Sequence, residues 1–160
     1  MHSTLFSAWT FILTSTTLFL CLTNAYMEIP CLETYATRHG NITIDFTFFS
    51  PIDNASTTCN STFRPSTPTQ TDYPGPPFSI ACANPLFRWY FNTFYNSSSF
   101  SLYLQHSYND AAVGGFNTME GTSDTISPTA NSNFTCRRDR CRLDERKGPV
   151  LVAISGVSAK

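Results

Sequence analysis

Residues 42–49 read ITIDFTFF, with Ile42, Ile44, Phe46 and Phe48 separated by Thr43, Asp45 and Thr47. Successive side chains of a strand point to opposite faces, so this period-two alternation predicts a strand with one apolar face turned inward. The same signal recurs along the chain. Residues 59–64 and 78–82 read as short strands on either side of RPSTPTQTDYPGPP, whose prolines forbid a helix and any central strand. That stretch predicts a long surface loop, and its Ser and Thr are candidates for O-linked sugar.

In LFRWYFNTFY, residues 86–95, Phe87, Trp89 and Phe91 fall on one face and Leu86, Arg88 and Tyr90 on the other. Such a strand is either buried on both sides or offers an aromatic surface to a ligand. Asn96 and the serines after it turn the chain into SFSLYLQHS, where Phe100, Leu102 and Leu104 point in and Ser101, Tyr103 and Gln105 point out, making a hairpin. Residues 107–133 are rich in Asn, Ser, Thr, Gly and Asp, with Phe116 and Met119 as apolar anchors. A last strand follows Gly148-Pro149, with Val150, Val152 and Ile154 alternating against Leu151, Ala153 and Ser155. Many short strands without helical periodicity predict an all-β chain: an antiparallel β-barrel or sandwich with little or no helix.

Residues 1–25 carry the apolar run Phe11 to Leu22 and end in Thr-Asn-Ala. They predict a secretory signal cleaved after Ala25, although no Lys or Arg precedes the run. The interrupted run falls short of the ~20 apolar residues that span a bilayer. Residues 26–160 then form a single secreted β-domain. Its fourteen Phe, seven Tyr and two Trp, against 13% charged residues, supply ample apolar surface for a core. A formal charge of -1 gives no global field for nucleic acid or anionic membrane, and neither is an expected partner.

Beyond residue 25 the cysteines are Cys31, Cys59, Cys82, Cys136 and Cys141, an odd number for an oxidising compartment. Closing CRRDRC between Cys136 and Cys141 stabilises by about 2 kcal/mol, and closing the longer loop between Cys59 and Cys82 by about 3.4 kcal/mol. That pairing leaves Cys31 over, near the expected N-terminus where chains are often mobile and exposed. An interchain bridge, a buried free thiol and a cap by a small thiol all remain open for it. Zinc is not expected, since there is no Cys-x-x-Cys and His39 and His106 lie far from the cysteine pairs in sequence. Asn41, Asn54, Asn60, Asn96 and Asn133 each open an N-glycosylation sequon, which agrees with secretion and marks those positions as solvent-facing.

The order of these features resembles the Alternaria major-allergen family of fungal secreted β-barrel proteins. The features are an N-terminal Cys soon after the signal, a strand like ITIDFTFF, a Cys pair around a loop, FRWYFNTFY, FSLYLQHSY, a late Cys pair and a short final strand, spanning most of residues 31–157. The resemblance implies a β-barrel dimer joined through Cys31, with Cys59–Cys82 and Cys136–Cys141 as intrachain bridges. It also implies secretion by a fungus and action as an effector, elicitor or allergen toward plant defence. The short basic last ring, the Pro-rich loop and the five sequons depart from the family pattern.

No Gly-x-Ser-x-Gly elbow, His-Glu-x-x-His or phosphate loop occurs, and no cofactor or catalytic residue is singled out. Two carboxylates suffice for a glycosidase. Asp45 reads instead as part of a solvated strand face, and His106 as a partly buried, hydrogen-bonded histidine. Two sets of residues are candidates for partner binding. Arg137, Arg138, Arg140 and Arg142, with Arg146 and Lys147 nearby, outweigh Asp139, Asp144 and Glu145 and suit an acidic glycan, phospholipid or host protein. Trp89, Tyr90 and Tyr103 suit stacking on a sugar ring or a flat ligand. The expected function is a secreted effector-like binding protein that recognises a host defence protein or cell-wall glycan. The alternative is a carbohydrate-active enzyme or a carbohydrate-binding cell-wall module.

Overall fold

The computed structural model describes residues 26–65, 74–112 and 114–159, so the expected leader at 1–25 and the centre of the Pro-rich stretch lie outside the described residues. Ten strands form one antiparallel sheet: β1 (Tyr26–Ala36), β2 (Ile42–Ser50), β3 (Ala55–Phe63), β4 (Ile80–Ala81), β5 (Phe87–Asn96), β6 (Ser99–Asp110), β7 (Gly115–Thr122), β8 (Phe134–Arg137), β9 (Arg140–Leu143) and β10 (Val150–Ala159). The only helical element among the described residues is a single 3-10 turn at Glu145–Lys147. Two meanders, β1-β2-β3 and β5-β6-β7, meet through β10, which pairs with β1 on one side and β7 on the other. The order β3-β2-β1-β10-β7-β6-β5-β4 curls into a nearly closed barrel, with the β8–β9 hairpin laid along β1.

Closure is completed by covalent and local bonds at the seam between β3 and β4. The Cys59–Cys82 disulfide crosses it, Ala83 N donates to Thr58 O at 2.9 Å, and Asn84 N donates to Thr57 Oγ1 at 2.9 Å. A strand of two residues cannot carry a full ladder, so the sulfur bridge takes over where pairing runs out. Inside the barrel, Phe46, Phe48, Phe63, Phe87, Trp89, Phe91, Phe100 and Phe134 are all at most 2% exposed. They meet mostly edge to face, as in Phe46–Trp89 (5.1 Å, 84°) and Phe48–Phe87 (4.8 Å, 81°), contacts that add about 0.5–1.5 kcal/mol each beyond their buried area.

The alternation expected for residues 42–49 is present throughout β2, and the inward residues expected of β5 and β6 are buried, although Ser101, assigned to the outer face, is covered through its hydrogen bonds with Asn92 and Thr93. Four expectations need correction. Trp89 belongs wholly to the core, so it is removed from the binding candidates. Phe116 is 47% exposed; the apolar anchor that follows β7 is Ile126, which is buried and bridged to Phe100. The Pro-rich stretch is not all surface, because Pro74 and Gly75 are buried and Phe91 N donates to Pro74 O. Cys31 does not sit on a loose terminus: it is paired with Thr47 in the interior of β1. Pro30 obscured that strand. It lacks an N–H for the ladder, and the register shift between Glu28 and Cys31 accommodates it as a bulge that keeps Ile29 and Leu32 both inward.

Candidate functional site

The β8–β9 hairpin is short because two residues, Arg138 and Asp139, link its strands, with Arg138 in the left-handed region at φ 55°. The Cys136–Cys141 disulfide joins directly opposed residues of the two strands, and Phe134, Cys141 and Leu143 anchor the hairpin to the core. With those side chains turned inward, alternation sends Thr135, Arg137, Arg140 and Arg142 outward. The 3-10 turn after β9, capped by the Asp144 side chain, brings Asp144, Glu145 and Arg146 up beside them. Together they line a cleft of about 630 Å³ in which Leu143 is the only apolar lining residue among the described residues.

The charges in this cleft are unequally committed. Arg140 pairs with Glu33 of β1, and Arg146 Nε lies 3.3 Å from Asp144 Oδ1, which holds the Asp144 carboxyl below its ordinary range. Arg137 and Arg142 have no carboxylate partner among the described residues. Two planar guanidinium groups on a disulfide-braced hairpin are therefore left to bind an anion from outside. Arg138 stands at the turn tip, exposed and outside the cleft lining.

Cys31 is exposed at the margin of this site. Partial burial raises its thiol pKa, aided by a hydrogen bond to Glu145 and the nearby Glu145 and Asp45 charges, while Arg142 opposes them. One row of facing residues runs Asn60–Asp45–Glu33–Arg142–Thr135 across β3, β2, β1, β9 and β8. The next runs Thr62–Thr43–Tyr35–Arg140–Arg137, which sets Tyr35, 41% exposed, on the strand position facing Arg140. Neither Tyr35 nor Glu33 stands out in the sequence, because their outward phase depends on the bulge at Pro30.

Tyr90 and Tyr103 come together elsewhere, on the outer face of β5 and β6. Their rings stack on each other at 4.4 Å and 16°, and the Tyr103 hydroxyl donates to Glu120. Burial and the Glu120 hydrogen bond push the Tyr103 hydroxyl far above its ordinary pKa, so it stays a donor. Each ring spends one face on the other, which leaves the pair less free to stack on a ligand. Asn54, Asn60 and Asn96 are exposed, whereas Asn41 and Asn133 are partly buried and Asn133 Nδ2 donates to Gly148 O at 2.9 Å. No group of three or more metal-ligating side chains occurs among the described residues, and no helix there is long and apolar enough to cross a membrane. No family model, curated protein or solved structure matches the chain.

Proposed function

We propose that the protein is a secreted, effector-like binding protein of the Alternaria major-allergen type, which recognises a host or cell-wall partner through the arginine-lined cleft. The observation that carries this reading is the pair Arg137 and Arg142, uncompensated and outward-facing on a hairpin held by its own disulfide. Two disulfides in a chain of this size are compatible with an extracellular setting, where such bonds persist. A homodimer bridged through Cys31 belongs to the same reading, since that thiol is exposed while the other four described cysteines are paired.

Retention on plant cell-wall material and on immobilised apoplastic proteins tests it, with the parent compared against Arg137→Ala/Arg142→Ala and Arg138→Gly. Hydrogen bonds to charged groups contribute about 1.5–3 kcal/mol each, so the double variant is expected to lose at least about tenfold in affinity. Arg138→Gly removes a charge from the same turn without touching the cleft and should bind like the parent. Equal retention of the double variant and the parent would remove the cleft from partner recognition.

A further inference from the structure

We infer that the ligand of this cleft is an acidic polysaccharide, a chain of sugar rings bearing carboxylates, that lies across β8, β9 and β1. The inference rests on the cleft being the recognition surface proposed above, and three observations narrow the chemistry. First, the uncompensated guanidinium groups are two, and they stand on separate backbone positions. Arg142 faces Thr135, and Arg137 faces Arg140, so Arg137 and Arg142 sit on diagonal positions of the hairpin. Residues two apart on a strand are displaced by about 6.8 Å and neighbouring strands by about 4.8 Å, which puts these two backbone positions about 8 Å apart. Side chains as long as arginine can converge on one anion from such positions or spread over two, and a ligand with spaced acidic groups gives each guanidinium its own carboxylate.

Second, the lining also carries Asp144 and Glu145. Carboxylates repel a ligand that is only anionic, but they accept hydrogen bonds from hydroxyl groups. Guanidinium and carboxylate groups in one cleft thus suit a ligand carrying both acid groups and many hydroxyl donors, which is the composition of a uronate chain. Third, Tyr35, outside the lining but the cross-strand neighbour of Arg140 within it, is 41% exposed, and its ring offers an apolar face of the kind sugar rings cover. An acidic peptide offers carboxylates with few hydroxyl donors to set against Asp144 and Glu145, and Leu143 is the only apolar residue of the lining among the described residues.

Calorimetric titration of the full secreted protein with an oligomer of galacturonic acid, its methyl ester and a neutral glucose oligomer of equal length tests the inference. Binding is expected to the acid form only, weakened at least tenfold in Arg137→Ala/Arg142→Ala and several-fold in Tyr35→Ala. Tyr35→Phe should restore it, because the ring face is retained, and circular dichroism confirms that each variant is folded. Equal binding of the ester, no loss in Tyr35→Ala, or displacement of the acid oligomer by inorganic phosphate or a poly-glutamate peptide at matched charge would overturn the glycan assignment. Those results leave the wider reading standing if wall or protein retention still depends on Arg137 and Arg142 and not on Arg138; loss of that dependence removes both.

Discussion

The thiol of Cys31 shows how much of this surface is decided by single neighbours. Its partial burial, the hydrogen bond to Glu145 and the Glu145 charge all favour the protonated form, and only Arg142 favours the thiolate. Since the thiolate is the reactive species, Glu145→Gln should lower the pKa and speed alkylation near neutral pH, while Arg142→Gln should slow it. Iodoacetamide kinetics on gently reduced monomer read both, and equal rates in the two variants would refute this account. A second residue-scale lock lies at the opposite edge of β2. Nε2 of His106, 1% exposed and stacked on Phe87 at 3.7 Å, donates to Asp53 Oδ2 at 2.8 Å and so pins the β2–β3 turn to β6. Burial, the largest single influence, works to raise the Asp53 carboxyl, but the His106 hydrogen bond and charge together with the hydrogen bonds from Ser50 and the Ala55 backbone outweigh it and hold the pKa below its ordinary value. The stability linked to Asp53 is therefore complete above its unfolded pKa of about 3.9 and is lost as the pH falls through the lower folded value. Asp53→Ala leaves a buried imidazole N–H unpaired, at a cost of about 1–3 kcal/mol at neutral pH. Urea titrations from neutral to acid pH should show that deficit and a flatter acid limb than the parent.

Among the elements, the seam between β3 and β4 is the weakest join and the disulfide across it the strongest compensation. Replacing Cys59 and Cys82 together by Ala lengthens the loop freedom of the unfolded chain and should cost about 3 kcal/mol in chemical denaturation, against about 2 kcal/mol for the Cys136/Cys141 pair. Only the second replacement should also weaken ligand binding, because only that bridge braces the arginine hairpin. The opposite wall is closed by contact instead of sulfur. At Gly121 of β7 a Cβ would stand 2.3 Å from the Ala153 carbonyl oxygen of β10, so Gly121→Ala must force the two strands apart. How far the elements were legible follows the same physics. Strands β2, β5, β6 and β10 declare themselves by alternation, since Phe46, Trp89, Leu102 and Val152 each sit between polar or exposed neighbours. Strand β1 does not, because Pro30 interrupts it and a bulge restores a phase that simple alternation cannot express. Trp89 and Tyr90 are adjacent aromatics with opposite fates, and only the burial of the whole β5 inner face tells them apart. The arginines of CRRDRC were visible as a cluster, but the cleft was not. It needs Glu33 to occupy Arg140 and the Asp144 cap to occupy Arg146, contacts between segments that no local pattern records.

For the whole molecule, the position of Cys31 matters more than its chemistry. It lies on the same outward wall as the cleft, with its thiol in contact with Glu145 of the lining. The dimer proposed through this residue therefore carries two arginine clefts close to its joint. Two linked sites gain over one only when a single ligand reaches both, and the second contact then forms at the high effective concentration set by the link. A polymer of acidic sugars meets that condition and a short oligomer does not. The net charge of -1 leaves no long-range attraction to mimic the effect, so avidity must come from the paired clefts. Cys31→Ser, monomeric on non-reducing gels, should bind a short uronate oligomer as the parent does but lose about tenfold or more on the long polymer. Mild reduction of the parent should reproduce that loss. A Cys31→Ser protein that holds the polymer as tightly as the bridged dimer would show that the clefts act singly, and that the thiol's place beside them serves no joint recognition.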